Sequence, residues 1–184
     1  MSGQRNRFIL KFNLAWRRFV RDAAFRSRLE FLRKIFLFEG LPHRAVALLA
    51  GKMMEKAYLA GDILFQEGDV GRACFITAEG RVEIVKTGPS GREEVLAVME
   101  PGDFFGEMTL LDELPRSATA RAVEPARLYI LYKSHIDDLL KDSPRTAARL
   151  LHNLSRLLSA RLRRQNLRGT GGASVRNAPP TDAP

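Results

Sequence analysis

Glu107 and Arg116 stand nine residues apart, a carboxylate and a guanidinium that together could hold a sugar and a phosphate in one pocket. The stretch runs Phe105-Gly106-Glu107-Met108-Thr109-Leu110 and then Pro115-Arg116-Ser117-Ala118-Thr119. A phosphate enclosed by protein calls for one bidentate donor and several backbone N–H groups. Arg116 supplies the donor, with Pro115 before it and small residues after it leaving room for close approach. Gly106 lets the backbone approach a ligand with no side chain in the way. Glu107 can accept a hydrogen bond from a ribose hydroxyl, the role an acid takes in dinucleotide folds. The plain alternative is a tight turn whose arginine pairs with Glu107 or Asp112.

Few other residues suggest chemistry. His43, His135 and His152 are scattered over helical stretches, so neither a metal site nor a triad is expected. Cys74 is the only cysteine, which excludes an internal disulfide, a thiolate-held iron–sulfur cluster and a Cys-rich zinc site. Beside Phe75 and Ile76 it reads as a buried structural thiol, and a cytoplasmic setting is expected.

The elements that would position the pocket change in texture along the chain. Residues 1–35 form a basic, helical N-terminal region: Phe12, Trp16, Phe19, Val20 and Ala23 fall on one helix face, and Leu29, Leu32, Ile35 and Phe36 repeat the spacing over Arg26 to Phe38. Pro42 suits the first turn of a short helix from His43 to about Met54. From about residue 55 to 132, turn signals recur: Gly61-Asp62, Gly68-Asp69, Glu79-Gly80, Gly88 to Gly91, Gly102-Asp103. Short β-branched and aromatic runs lie between them, which predicts a barrel or sandwich of antiparallel strands. Helices return over 134–168. Ser134 with Asp137 reads as a capping box, and Ser143-Pro144 as a second start. The last helix carries Ala147, Leu151, Leu154, Leu158 and Leu162 on one stripe, broadened by Leu150 and Leu157. Residues 169–184 are Gly/Pro/Ala-rich and predicted to be a disordered tail.

Taken together, the stretch 105–119 resembles the phosphate-binding cassette of the cyclic nucleotide-binding domain family. Gly61-Asp62, Gln66 to Asp69, Phe75-Ile76, Glu79-Gly80 and Pro101 to Phe104 follow the family's order upstream, and the likeness covers about residues 36–165. The resemblance implies an α+β fold: an eight-stranded antiparallel β-roll of jelly-roll type, flanked by N-terminal helices and a long C-terminal helix. It implies a non-enzymatic, cytoplasmic regulatory protein that takes a cyclic nucleotide as ligand and needs no cofactor; the alternative is an interaction or scaffold module that keeps the roll without responding to nucleotide. By position, Glu107 would bind the ribose 2′-hydroxyl and Arg116 the cyclic phosphate; Gly106 and Ala118 would offer backbone N–H groups, and Ser117 a hydroxyl as well; Ile84, Leu96 and Ala97 would line the base. Arg161 falls where relatives reach the base, with a solvated arginine as the alternative. Ser117, neither the threonine that accompanies cGMP nor the alanine that accompanies cAMP, leans to cAMP. Thr109 departs from the pattern, where Ala, Gly or Ser is usual.

Charge and the ends of the chain bear on partners. The net charge of +9 is uneven: residues 1–34 hold ten Lys/Arg against two acids, 35–140 eleven against seventeen, and 141–184 nine against two. The leucine stripe of the last helix serves either as a homodimer seam or as packing on the roll of the same chain. The N-terminal helix, with arginines opposite Trp16, could lie on an acidic membrane surface or pack on protein. Regulators of this kind carry a DNA-reading domain beyond the long helix. Nothing after Leu167 resembles one, so DNA is not an expected partner and the effector is left unnamed.

Overall fold

A computed structural model describes residues 22–88, 90–112 and 114–168. The expected amphipathic helix around Phe12–Val20 and the expected tail at 169–184 lie outside the described residues. Helix α1 is seen over 22–33, followed by a 3-10 turn at Phe36–Phe38 and by α2, His43–Lys52. Eight strands follow: β1 (Met54–Tyr58), β2 (Ile63–Phe65), β3 (Ala73–Glu79), β4 (Val82–Thr87), β5 (Glu93–Met99), β6 (Phe104–Phe105), β7 (Thr119–Ala122) and β8 (Ala126–Tyr132). Helices α3 (Lys133–Asp142) and α4 (Pro144–Arg168) complete the described chain. The α+β architecture is the expected one: two antiparallel four-stranded sheets, ordered β1-β8-β3-β6 and β2-β7-β4-β5, make a roll flanked by helices.

Period-two alternation divides the core in two. On β3, Cys74 and Ile76 face the helices while Ala73 and Phe75 face the roll interior. On β8, Tyr129 and Leu131 join the helical side, and Leu128 and Ile130 the interior. That explains why β8 reads as a continuous apolar run: both faces of its sheet are covered.

Three turns share one construction. In Leu59–Asp62, Gln66–Asp69 and Glu100–Asp103, the third residue is a glycine at φ +88°, +88° and +96°. The aspartate N–H donates to the first residue's carbonyl, at 3.1, 3.2 and 2.9 Å. The first residue's N–H donates back to the aspartate Oδ2, at 2.8, 2.8 and 2.9 Å. A type II turn needs positive φ at its third position, and an Asx contact closes it.

Two local expectations are corrected. Ser134 does not cap α3: Tyr132 is the N-cap residue, with no side-chain cap, and Lys133 pairs with Asp137 one turn on, at 3.3 Å. The buried stripe of α4 is Ala147, Leu150, Leu154 and Leu157, with Leu151 and Leu158 at its margin and Leu162 58% exposed. The centre of the stripe is therefore rotated from the expected face, because α4 packs on the helical side of its own chain. Asn153, buried in that contact, donates to the carbonyls of Leu37 (3.2 Å) and Glu39 (2.8 Å). Among the described residues, no helix is long and apolar enough to cross a membrane.

Candidate functional site

The site is built on the chain between β6 and β7. Phe104 and Phe105 pair with Ile76 and Phe75 of β3, which holds the start of the segment against the sheet. Gly106 then takes φ +68°, turning the chain into a 3-10 helix, Glu107–Leu110. A side chain at Gly106 would be strained and would also sit 2.4 Å from Arg116 Nη1. Thus the Phe-Gly-Glu order has a mechanical basis: two buried phenylalanines anchor, the glycine turns, and Glu107 enters the interior.

Arg116 reaches the same place from the other direction. Its backbone is tied to the second of the shared turns: Arg116 N–H donates to Asp69 O and Gly68 N–H donates to Arg116 O, both at 2.8 Å. Its guanidinium is buried, 7% exposed, and donates to Ala73 O (2.7 Å), Gly106 O (3.0 Å) and Thr109 Oγ1 (3.4 Å). It lies 4.0 Å over the Phe65 ring, within the range of a cation–π contact. Burial pulls the Arg116 guanidinium below the usual arginine range, since charge is costly away from water. A buried cation that keeps its charge is a strong attraction for an anion. Arg116 is bonded to backbone carbonyls and a hydroxyl, so the simple turn with an Arg116–Glu107 or Arg116–Asp112 pair is not what forms.

The Thr109 departure has a structural partner. Its hydroxyl donates to Gly106 O (2.9 Å) and accepts from Arg116, so it belongs to the arginine's bonding set. Its methyl occupies the space next to Gly71, where an added Cβ would lie 2.3 Å from Thr109 Cγ2 and 2.9 Å from Arg116 Nε. Gly71, Phe65 and Ala73 shape the site, and sequence reasoning passed over all three. Only a glycine between two apparently ordinary residues signalled the first.

Glu107 is 3% exposed, and its carboxylate accepts from Arg161 Nη1 on α4. Arg161 Nη2 donates to Phe104 O at 2.8 Å. The ion pair is well shielded, with side chains 20% and 4% exposed.

Above this floor opens a cavity of about 290 Å³. Gly106, Glu107, Arg116, Ser117 and Ala118 line its floor, and Ile84, Leu96 and Ala97 line it from β4 and β5. Arg161 lines it from α4, with Leu158 and Leu162. Sequence reasoning did not identify Met108, Leu114, Leu158 and Leu162 as lining residues; all but Leu158 are exposed apolar side chains at this mouth. The arrangement offers a buried cation and a carboxylate at one end and apolar surface at the other. That suits a ligand with an anionic, hydroxyl-bearing end and a flat apolar end. Cys74 sits beneath, fully buried, and burial pushes its thiol well above the usual range, so it behaves as a packing residue. Among the described residues, no group of three or more His, Cys, Asp or Glu could hold a metal ion.

Known proteins resemble this chain in sequence and in fold. The family described as the cyclic nucleotide-binding domain matches residues 55–143. The chain is 40% identical over 131 residues to the cyclic AMP receptor protein of Thermus thermophilus, an alignment covering 71% of this chain and 59% of that protein. It thus spans about three fifths of the length of that curated relative. The crystal structure of the N-terminal domain of a transcriptional regulator from Streptomyces coelicolor matches with a TM-score of 0.65 and 35% identity, covering 78% of this chain and 99% of that one. A cyclic nucleotide-binding domain from Methylobacillus flagellatus matches with a TM-score of 0.70 and 30% identity, covering 84% and 88%.

Proposed function

Since the chain belongs to the cyclic nucleotide-binding domain family, we propose that it is a non-enzymatic cytoplasmic receptor that takes cAMP in preference to cGMP and signals by moving α4. The observation that carries this reading is the meeting of Arg116 and Glu107, both buried, at the floor of one cavity whose upper wall is apolar. The cyclic phosphate would lie on Arg116 and on the backbone N–H groups of Gly106, Ser117 and Ala118. The ribose 2′-hydroxyl would donate to Glu107. The purine would lie against Ile84, Leu96 and Ala97, with Leu158 and Leu162 of α4 above it. Occupancy favours one position of α4 only through contacts that differ between its positions. The helix presents Leu158, Arg161 and Leu162 to the ligand space, which supports that coupling. The output then passes to an effector protein or to a second copy of the chain.

Isothermal titration with each nucleotide tests the reading. Binding of one cAMP per chain, more tightly than cGMP, is the expected result. No binding of either nucleotide at millimolar concentration overturns it.

A further inference from the structure

We propose that the outer face of α4, with a second cavity beside it, is a docking surface for an acidic segment of a partner protein that also carries an apolar anchor residue. Helix α4 holds seven arginines and no Asp or Glu. Arg145, Arg149, His152, Arg156, Ser159 and Arg163 follow one another at alternating steps of four and three, so they share one face. All are exposed except Arg156, which is half-buried, and the buried Ala147, Leu150, Leu154 and Leu157 lie on the other side of the helix. At the rise of an α-helix the row is about 27 Å long.

The second cavity, of about 360 Å³, lies between the end of α1, the 3-10 turn, the turn before β6 and α4. Phe36, Phe104 and Leu157 give it apolar walls, and Arg33, Lys34 and Glu39 line it too. It joins the arginine row at Phe36, whose ring centre lies 5.3 Å from the Arg156 guanidinium carbon.

Charge indicates what covers this surface. On the roll, arginines are matched within the chain: Arg121 by Glu83 and Glu93, Arg127 by Glu55 and Glu79, Arg81 by Glu124. Among the described residues no acid pairs with Arg33, Lys34, Arg145 or Arg149. Residues 1–21 hold six Lys/Arg and no acid, and 169–184 one arginine and one aspartate, so the chain's own ends do not complement it. A second copy presenting the same face would set arginine against arginine at the spacing where a coiled coil needs apolar residues. The complement is an anion supplied by another molecule. The cavity narrows the choice to protein. An apolar hollow beside cations accepts a side chain, which neither a phosphate backbone nor a flat lipid surface presents, and Glu39 there repels dense phosphate.

The test uses the full chain without nucleotide and a fluorescent helical peptide as probe, with glutamates at steps of four and three along one face and a single leucine beside them. Saturable binding is expected. It should weaken about tenfold or more in Arg33→Glu with Lys34→Glu, and likewise in Arg145→Glu with Arg149→Glu. The same peptide with alanine for leucine should also bind about tenfold more weakly, and glutamine for glutamate should abolish binding. Circular dichroism checks that the charge-reversed proteins fold; if one does not, the altered peptides on the unaltered protein decide. No binding at millimolar peptide, or binding indifferent to the leucine or to the charge reversals, overturns the proposal. So does tighter binding, lost in the same variants, of a single-stranded oligonucleotide or of phosphatidylglycerol vesicles. Self-association of the unaltered chain that the reversals abolish would put a second copy on this face, and overturns it too. Since no nucleotide is present, none of these outcomes bears on the receptor reading.

Discussion

The two arginines of the cavity are held in opposite ways. Arg116 is fastened by the fold: two backbone carbonyls and a threonine hydroxyl take its guanidinium, and the Gln66–Asp69 turn holds both the N–H and the carbonyl of its own backbone. Arg161 arrives on a helix and reaches the Glu107 carboxylate and the Phe104 carbonyl. The floor of the site is therefore part of the roll, whereas its α4 wall comes from a separate helix that reaches the floor through Arg161. A receptor needs this division, because a fixed floor recognises the ligand and a separately attached wall can respond to it.

The sharpest way to break the comparison is to remove the fixed arginine. Arg116→Ala should weaken cAMP binding by about 2–5 kcal/mol, the cost of losing a buried charged contact, as read by titration calorimetry. Unchanged affinity would mean the floor is not where the phosphate sits. Next, Gly71→Ala should lower both melting temperature and affinity. The new methyl has nowhere to go between Thr109 Cγ2 and the Arg116 guanidinium, and overpacking of this kind costs about 1–3 kcal/mol. Adding Thr109→Ala should recover part of that loss, and no recovery would show that the strain lies elsewhere. On the helix side, Asn153→Ala strips the donor from the buried Leu37 carbonyl and from the carbonyl of Glu39. It should cost about 1–2 kcal/mol in denaturant unfolding while shifting cAMP affinity less than Arg116→Ala does. A larger effect on affinity than on stability would make the α4 wall as much a part of recognition as the floor. The smallest effect is expected at exposed Ser117, where Ser117→Thr should move the balance toward cGMP by a few-fold, about 1 kcal/mol or less.

Much of the floor was legible in the sequence because its physics is local. Glycine before aspartate three times over can be read as a turn, since few other residues adopt the required φ. Gly106 before Glu107 could be read likewise, and the alternation in β3 and β8 follows from the period of a strand. The features that were missed depend on what lies across space. β6 is two residues long, too short to show a pattern. Ser134 has the composition of a cap, but Tyr132 at the end of β8 already sets the helix start. The α4 stripe was wide enough for two neighbouring faces, and only the position of α1, the 3-10 turn and α3 selects between them. Thr109 appeared to be a departure until its neighbour Gly71, thirty-eight residues away in the chain, supplied the space for it. Arg161 was expected near the base from its position alone. Its carboxylate partner lies fifty-four residues back and could not be read from either residue.

The most direct measurement of the central claim is a map of backbone amide shifts on adding cAMP to the isotopically labelled protein. Large shifts should fall on Gly106, Glu107, Arg116, Ser117 and Ala118, with smaller ones on β4 and β5 and on α4 near Arg161. Saturable shifts that leave these floor residues unmoved, or no shifts at millimolar nucleotide, would contradict the account.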